Sequence, residues 1–399
     1  MMRSSIGFHT ISLSMLLGKD SLQKLIKDFR TYSATTGLIK IFPVDGKAVT
    51  WDCQYQGDGT VEMDPIFQKN LKIVHCEESD KGIEWLLRYN SWGNDYKPYI
   101  VEVKINPKIL SGISDYITAA TYKDMPTAIA NFNCESRKIS SLLGDFSCYK
   151  INRVDYCANL YIPEVAPNCT PEQIMNLIQR SNIPRFFTER TERDPIAHRP
   201  KSDPNSFYLK NSCVHINCYY KTAEFQKRSK ERERMGLSSI PQTTIDSSQG
   251  IIRFEIQCKY RKIYDFCKNT TPSWNQCCNK YKYLLADEIC RETINHYWKE
   301  TIGWAPWYSL QSAIGLIKLN HFNSQKEDRL IDVLKLVNQC RSVPSAKKKY
   351  WGDEASFNRT LKDLDKLRIN PVTIPKNWGI GRIWNPLESS YSPTYLGFP

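Results

Sequence analysis

Four segments between residues 99 and 260 alternate polar and apolar side chains with a period of two, and this alternation restricts the possible folds more than any other feature of the chain. Successive side chains of an extended strand point to opposite faces, so every second residue shares a side. In the segment Ile151–Ile162, Val154, Tyr156, Ala158 and Leu160 form one face, and Arg153, Asp155, Cys157 and Asn159 form the other. In Gly250–Tyr260, Ile252, Phe254, Ile256 and Cys258 oppose Arg253, Glu255, Gln257 and Lys259. In Cys213–Lys221, Val214, Ile216, Cys218 and Tyr220 oppose His215, Asn217, Tyr219 and Lys221, and Tyr99–Ile105 adds Glu102 and Lys104 on its polar side. Two-sided strands of this kind belong to half-buried antiparallel sheets. The expected fold class is therefore α+β, a mainly antiparallel sheet domain followed by a helical C-terminal domain.

Further strands are expected at Gly37–Pro43, Ala48–Tyr55 and Leu71–Cys76, and Ser206–Lys210 should turn through Asn211-Ser212 into Cys213–Lys221 as a hairpin. Helices are expected at Met125–Phe132 and at Thr170–Arg180, where Thr170 caps, Pro171 takes the first turn and Ile174, Leu177 and Ile178 make a stripe. Thr222–Met235 reads as a highly charged helix. From about Tyr281 the period becomes helical, with stripes in Leu284–Trp298, Leu310–Leu319 and Leu330–Val337 and a last helix at Ser356–Leu367. The domains are accordingly read as 1–270 and 280–399, with a boundary near Thr270–Asn279.

With 399 residues, 41% of them hydrophobic and 24% charged, the chain has the makings of a packed core and not of a disordered polymer. Its 55 Lys and Arg against 42 Asp and Glu give +13, a field that attracts polyanions. No apolar run approaches the roughly 20 residues of a membrane span, and the first 17 residues lack a signal-like core, so a cytoplasmic protein without a membrane partner is expected. The 14 cysteines have no Cys-x-x-Cys pair, and adjacent Cys277 and Cys278 lack the second pair of a zinc site. Free thiols are expected.

If the four alternating strands belong to one sheet, its polar face collects three carboxylates, a tyrosine, a histidine and several cations. Carboxylates are hard oxygen ligands for Mg²⁺ or Mn²⁺, and a divalent ion draws charge off a phosphodiester transition state. A tyrosine oxygen attacking phosphorus conserves the bond as a phosphotyrosine link. The plainer alternative is the solvent side of a sheet, with Arg and Glu paired across strands. His215-Ile216-Asn217 matches the His-hydrophobe-His metal motif of nicking enzymes only in its first two residues.

Arg153-Val154-Asp155, then Ser206-Phe207-Tyr208 leading to Ile216–Glu224, then Ile252-Arg253-Phe254-Glu255-Ile256 together resemble the core of rolling-circle replication initiators. That family includes the filamentous-phage gene II-type endonucleases and the related plasmid replication initiation factors of Gram-positive bacteria. The similarity spans roughly residues 98–262. It implies Tyr219 as nucleophile beside Lys221 within a Tyr-x-Lys element followed by Glu224, with Tyr220 the alternative nucleophile because the family more often has an acid there. It also implies Asp155 and Glu255 as metal-side carboxylates. Glu102 is a further candidate ligand beside them, and Arg153 and Arg253 are expected either to clamp phosphate or to orient these acids.

The function so implied is initiation of phage or plasmid replication by nicking one strand of origin DNA, single-stranded or extruded, with a divalent metal, leaving a 3′ hydroxyl for a host polymerase and its helicase. A relaxase nicking for conjugative transfer would use the same site, and a DNA-binding protein of a mobile element without catalysis is the rival. Lys227, Arg228, Lys230 and Arg232 on the charged helix are expected to contact phosphates, although Glu231 and Glu233 dilute them and a solvated helix reads nearly as well. Trp298, Trp304 and Trp307 are read as core residues first and base-stacking platforms second.

Overall fold

The alternating segments meet in one ten-stranded sheet of antiparallel pairs. The computed structural model describes residues 5–43, 70–76, 81–88, 99–113, 116–189, 192–193, 200–201, 203–234, 236–268 and 277–391. In chain order the strands are β1 (Ser5–Leu17), β2 (Ile39–Pro43), β3 (Leu71–His75), β4 (Ile83–Arg88), β5 (Tyr99–Ile105), β6 (Lys150–Tyr161), β7 (Thr188–Glu189), β8 (Ser206–Lys210), β9 (Val214–Tyr220) and β10 (Ile251–Lys259). Across the sheet they run β2-β3-β4-β5-β1-β6-β10-β9-β8-β7. The expected strand at Ala48–Tyr55 lies outside the described residues.

The hairpin β8–β9 turns where Asn211 accepts the amides of Cys213 and Val214 at 2.8 and 2.7 Å, a local bond that asparagine makes readily. Register then fixes the faces, since residues opposite each other in a ladder share a side. Val154 faces Cys258, which faces Val214, while Asp155 faces Gln257, which faces His215.

Strand β1 is central, and its pattern is hidden in the sequence. Phe8 faces Tyr156 and Thr10 faces Asp155, so His9 is an extra residue that bulges the strand. The buried positions Phe8, Ile11 and Leu13 are therefore spaced three and then two apart.

Helices cover the apolar face. Helix α1 (Lys19–Thr36) buries Leu22, Leu25, Ile26 and Phe29, ends at Gly37 with φ of 67°, and lays Phe29 edge-on to Trp85 of β4. Alongside it runs α2 (Met125–Ile139). Helix α3 (Pro171–Gln179) starts with the capping box that Thr170 predicts and buries Ile174, Met175, Leu177 and Ile178. The charged helix, α4 (Lys221–Arg234), lies instead over the polar face, against β9 and β10.

The C-terminal helices α5 (Asp287–Thr301), α6 (Leu310–Lys318), α7 (Ser324–Cys340) and α8 (Glu354–Lys366) follow the expected order. They share the sheet's core: Trp298 of α5 stands edge-on to Phe254 at 5.0 Å, and the Tyr156 hydroxyl donates to the Leu284 carbonyl at 2.8 Å. Trp298 and Trp307 are fully buried, so their rings serve packing and are not presented to bases. The expected boundary falls largely on 269–276, outside the described residues. Among the described residues no helix is long and apolar enough to cross a membrane.

Candidate active site

Around the middle strands β6 and β10 the polar face is a buried interface and not a solvated one. Asp155, Asn159, Glu255 and Arg253 have 1, 1, 5 and 0% of their surface exposed, because α4 and the segment around residues 116–120 lie over them. The segment is held where Phe8 and Ala120 exchange backbone bonds of 2.9 and 2.8 Å. Gly7 permits that approach: a Cβ there would stand 2.1 Å from the Ala120 carbonyl oxygen. A charged face can be buried only if each group finds a partner.

Arg253 sits opposite Asn159 and Tyr219. Its Nε donates to Asn159 Oδ1 at 2.7 Å, and Nη2 donates to the Ile117 carbonyl, which also accepts Asn159 Nδ2 at 2.6 Å. Arg253 thus ties the sheet to its cover. With no exposed surface it is not offered to a phosphate, contrary to the expected clamp.

Arg153, a quarter exposed at its side chain, donates through Nη2 to Asp155 Oδ2 at 2.8 Å, while its Nε lies 2.8 Å from Oδ1 at an angle that makes no hydrogen bond. Burial pushes the Asp155 carboxyl up to about 7, against the pull of Arg153 and with the help of Glu255. Asp155 and Glu255 are diagonal neighbours on β6 and β10, about 7–8 Å apart at Cα or less between side chains.

The Tyr219 hydroxyl donates to Glu255 Oε2 at 3.3 Å, and Gln257 Nε2 donates to Oε1 at 2.8 Å. Tyr219 is 8% exposed, and burial followed by the Glu255 charge raises its phenol well above the ordinary value. Lys221, 2% exposed in the first turn of α4, reaches Glu224 Oε2 at 3.0 Å and lies 5.4 Å from the Tyr219 ring centroid. Burial lowers its ammonium to about 8, against the opposing pull of Glu224. Tyr220 faces Ile252 on the apolar side.

Tyr219, Glu255, Asp155, Arg153 and Lys221 are therefore gathered at one place on the polar face, whereas Glu102 shares the face but lies away from them. Glu102 is opposite Ser14 and bonded to Arg88 at 3.0 Å, four residues of β1 from Thr10, the partner of Asp155. That offset is about 13 Å along the strand. His215 accepts or donates at 2.6 Å with the Tyr208 hydroxyl, and burial holds its imidazole down to about 4. On α4, Lys227, Arg228 and Lys230 are exposed, while half-buried Arg232 donates to the Ser238 carbonyl at 2.9 Å.

No group of three or more His, Cys, Asp or Glu able to hold a metal occurs among the described residues. Two carboxylates, Asp155 and Glu255, are nonetheless the number that Mg²⁺ takes from protein when water and substrate phosphate complete its shell. Asp155 and Glu255 are the carboxylates of this site that could hold such an ion, and Glu102 lies apart from them.

Sequence reasoning missed His9. The bulge turns its ring toward Arg253, Lys221, Arg228 and Arg153, and burial and then those charges hold its pKa well below the ordinary value. The period-two rule has no place for an extra residue, so only the spacing of Phe8 and Ile11 signalled it.

The fold and site define an α+β protein whose antiparallel sheet gathers a tyrosine, two carboxylates and three cations beneath a basic helix. No family model matches the chain, and no curated protein matches it significantly. Among solved structures it is similar to a rolling circle replication initiator protein from Geobacillus stearothermophilus, at 10% identity over 73% of this chain and 96% of that one, with a TM-score of 0.25. A likeness that loose carries no weight on fold or chemistry.

Proposed function

We propose that the protein initiates replication of a mobile element by nicking one DNA strand through Tyr219. The observation that supports this most directly is the hydrogen bond from the Tyr219 hydroxyl to Glu255, with Lys221 beside the same ring. A buried phenol is a poor nucleophile until a base takes its proton, and a carboxylate in hydrogen-bond reach is such a base. As the Tyr219 oxygen bonds to phosphorus, the phosphorus bond to the 3′ oxygen breaks. The phenolic proton passes to Glu255, and the departing 3′ oxygen takes a proton from the Lys221 ammonium.

Asp155 and Glu255 would hold the divalent ion, which when bound withdraws charge from the phosphate. Arg153 neutralises Asp155 and holds its carboxyl in place. Tyr219 is 8% exposed, so a phosphate reaches it only when the cover over the site opens while Lys221 stays beside the ring. The same burial favours the rival, a DNA-binding protein without catalysis. Nicking for conjugative transfer would use the same chemistry.

The test is incubation of the protein with its own replicon's DNA and Mn²⁺. The proposal expects protein covalently held on a 5′ end beside a free 3′ hydroxyl. Binding with neither adduct nor nick would leave the rival.

A further inference from the structure

We infer that a row of cations crossing the sheet obliquely to its strands is a track for single-stranded DNA, an inference that rests on the DNA role just proposed. Two hollows open on the polar face. One, of about 590 Å³, is lined by Tyr208, Lys210, His215 and Lys259 among others. The other, of about 290 Å³, is lined by His9, Lys72, Lys104, Tyr116, Arg153 and Arg228 among others. They abut where Lys259 of β10 and Arg153 of β6 stand directly opposite each other. Register continues the row: Arg153 faces Ser12, and Ser12 faces Lys104.

From Lys72 on β3 to Lys210 on β8, which stand two residues to either side of the Lys259–Arg153–Lys104 register, the row takes seven inter-strand steps, about 34 Å across the strands at ~4.8 Å per step. On the order of six nucleotides would span it, within the roughly 4–16 of known single-strand grooves.

The charge suits a phosphate chain. The hollows present Lys72, Lys104, Arg153, Arg228, Arg232, Lys210 and Lys259, seven cations, against Glu84 and Glu231, with Asp155 behind Arg153. Glu84 binds both Lys72 and Lys104 at 2.8 Å, so that end carries less net charge than the Lys210–Lys259 end. Tyr208, T-shaped against His215, and Tyr116, with the Arg228 guanidinium 5.7 Å from its ring centroid, stand at the two hollows, where an unpaired base would compete with those neighbours to stack on the rings. A duplex keeps its bases in its own stack and cannot use them. The middle of the row passes Arg153 and Asp155, beside Glu255 and Tyr219, so a strand in the track brings a phosphate to the mouth of the candidate active site.

The test is the anisotropy of a labelled twelve-nucleotide oligothymidylate at several salt concentrations. Lys210→Glu, Lys259→Glu and Lys104→Glu should each weaken binding at least about tenfold and lower the log–log salt slope by about one or more. Lys335→Glu, on the exposed side of α7, should leave binding within about twofold. If a charge reversal lowers the melting temperature, the matching Gln variant is used and the slope is the readout. Equal losses from Lys335→Glu, no loss from the three track variants, or equal affinity for a hairpin duplex overturns the track. If the track variants bind normally while the wild type still forms an adduct with its replicon's DNA, the track falls and nicking stands. If they bind weakly but no adduct ever forms, the track stands and nicking falls.

Discussion

The Tyr219 hydroxyl lies 3.3 Å from Glu255 Oε2 although the residue directly opposite Tyr219 is Arg253. The pair is diagonal across β9 and β10, a spacing that a long aromatic side chain bridges. In the proposed reaction Glu255 receives the phenolic proton. Glu255→Gln keeps the shape and can still bond the hydroxyl, but it cannot take the proton. Single-turnover adduct formation should fall about 10²–10³-fold, with oligothymidylate affinity unchanged. An undiminished rate would remove Glu255 from the proton path.

Lys221 is the proposed acid, and its ammonium is lowered to about 8 by burial. Adduct formation should therefore decline as pH rises through about 8, where the ammonium is lost. Lys221→Arg keeps the charge but holds its proton too firmly to give it up. It should lose about 10²-fold or more in rate on ordinary DNA. A bridging 3′ sulfur at the nick site leaves without protonation and should restore most of that loss. Rescue of neither variant nor rate by the sulfur substrate would reduce Lys221 to an electrostatic role.

Much of this site was legible in the sequence, for a physical reason. Arg153, Asp155, Tyr219, Arg253 and Glu255 lie in regular strands, where the two-residue period fixes the face, and the register brings that face together. What the period cannot carry is how strands are ordered or what covers them. Glu102 has the right face but the wrong place along it, and Arg253 has the right face but lies beneath the Ile117 carbonyl. The 13-residue strand β1 escaped notice because its bulge at His9 breaks the alternation, and β4 because Ile83–Arg88 carries Trp85, Leu86 and Leu87 in a run. The helical nature of the chain beyond residue 280 was readable from its stripes, yet its packing on Phe254 was not.

Asp155 makes a prediction about stability. Its carboxyl holds a proton up to about 7 in the folded protein, against about 3.9 in an unfolded chain. The folded state therefore binds the proton more tightly, and stability from this group is lost as pH rises from about 4 to about 7. Asp155→Asn abolishes that titration while its amide oxygen can still accept from Arg153. The melting temperature of the variant relative to wild type should rise between pH 5 and pH 8. A flat or falling difference would mean that Arg153 holds the carboxylate ionised throughout.

Gly7 couples the sheet to the cover of the site. A methyl at residue 7 would meet the Ala120 carbonyl oxygen at 2.1 Å, which only a backbone shift can relieve. Gly7→Ala should cost about 1–3 kcal/mol, the usual range for overpacking, measured by urea unfolding. Because Ala120 is three residues from the Ile117 carbonyl that holds Arg253 and Asn159, adduct formation should fall as well. A stable variant with full activity would show that the cover shifts freely.

The choice between Tyr219 and Tyr220 tests the register itself. Adjacent strand residues face opposite sides, and β9 runs without a bulge from Val214 to Tyr220 against β10 and from His215 to Tyr219 against β8. Tyr219 faces Arg253 on the polar side, whereas Tyr220 faces Ile252 and packs against the core, its amide donating to the Asn205 carbonyl at 2.9 Å. Tyr219→Phe keeps the ring beside Lys221 and removes only the attacking oxygen, so the covalent adduct should vanish while fold and single-strand affinity persist. Tyr220→Phe should form the adduct at close to the wild-type rate. Mass spectrometry of the trapped peptide reads the attached residue directly, without relying on rates. Attachment at Tyr220 would mean that β9 shifts by one residue when DNA binds and would leave the chemistry in place. Adduct formation by the double variant at the wild-type rate would rule out tyrosine attack at this site.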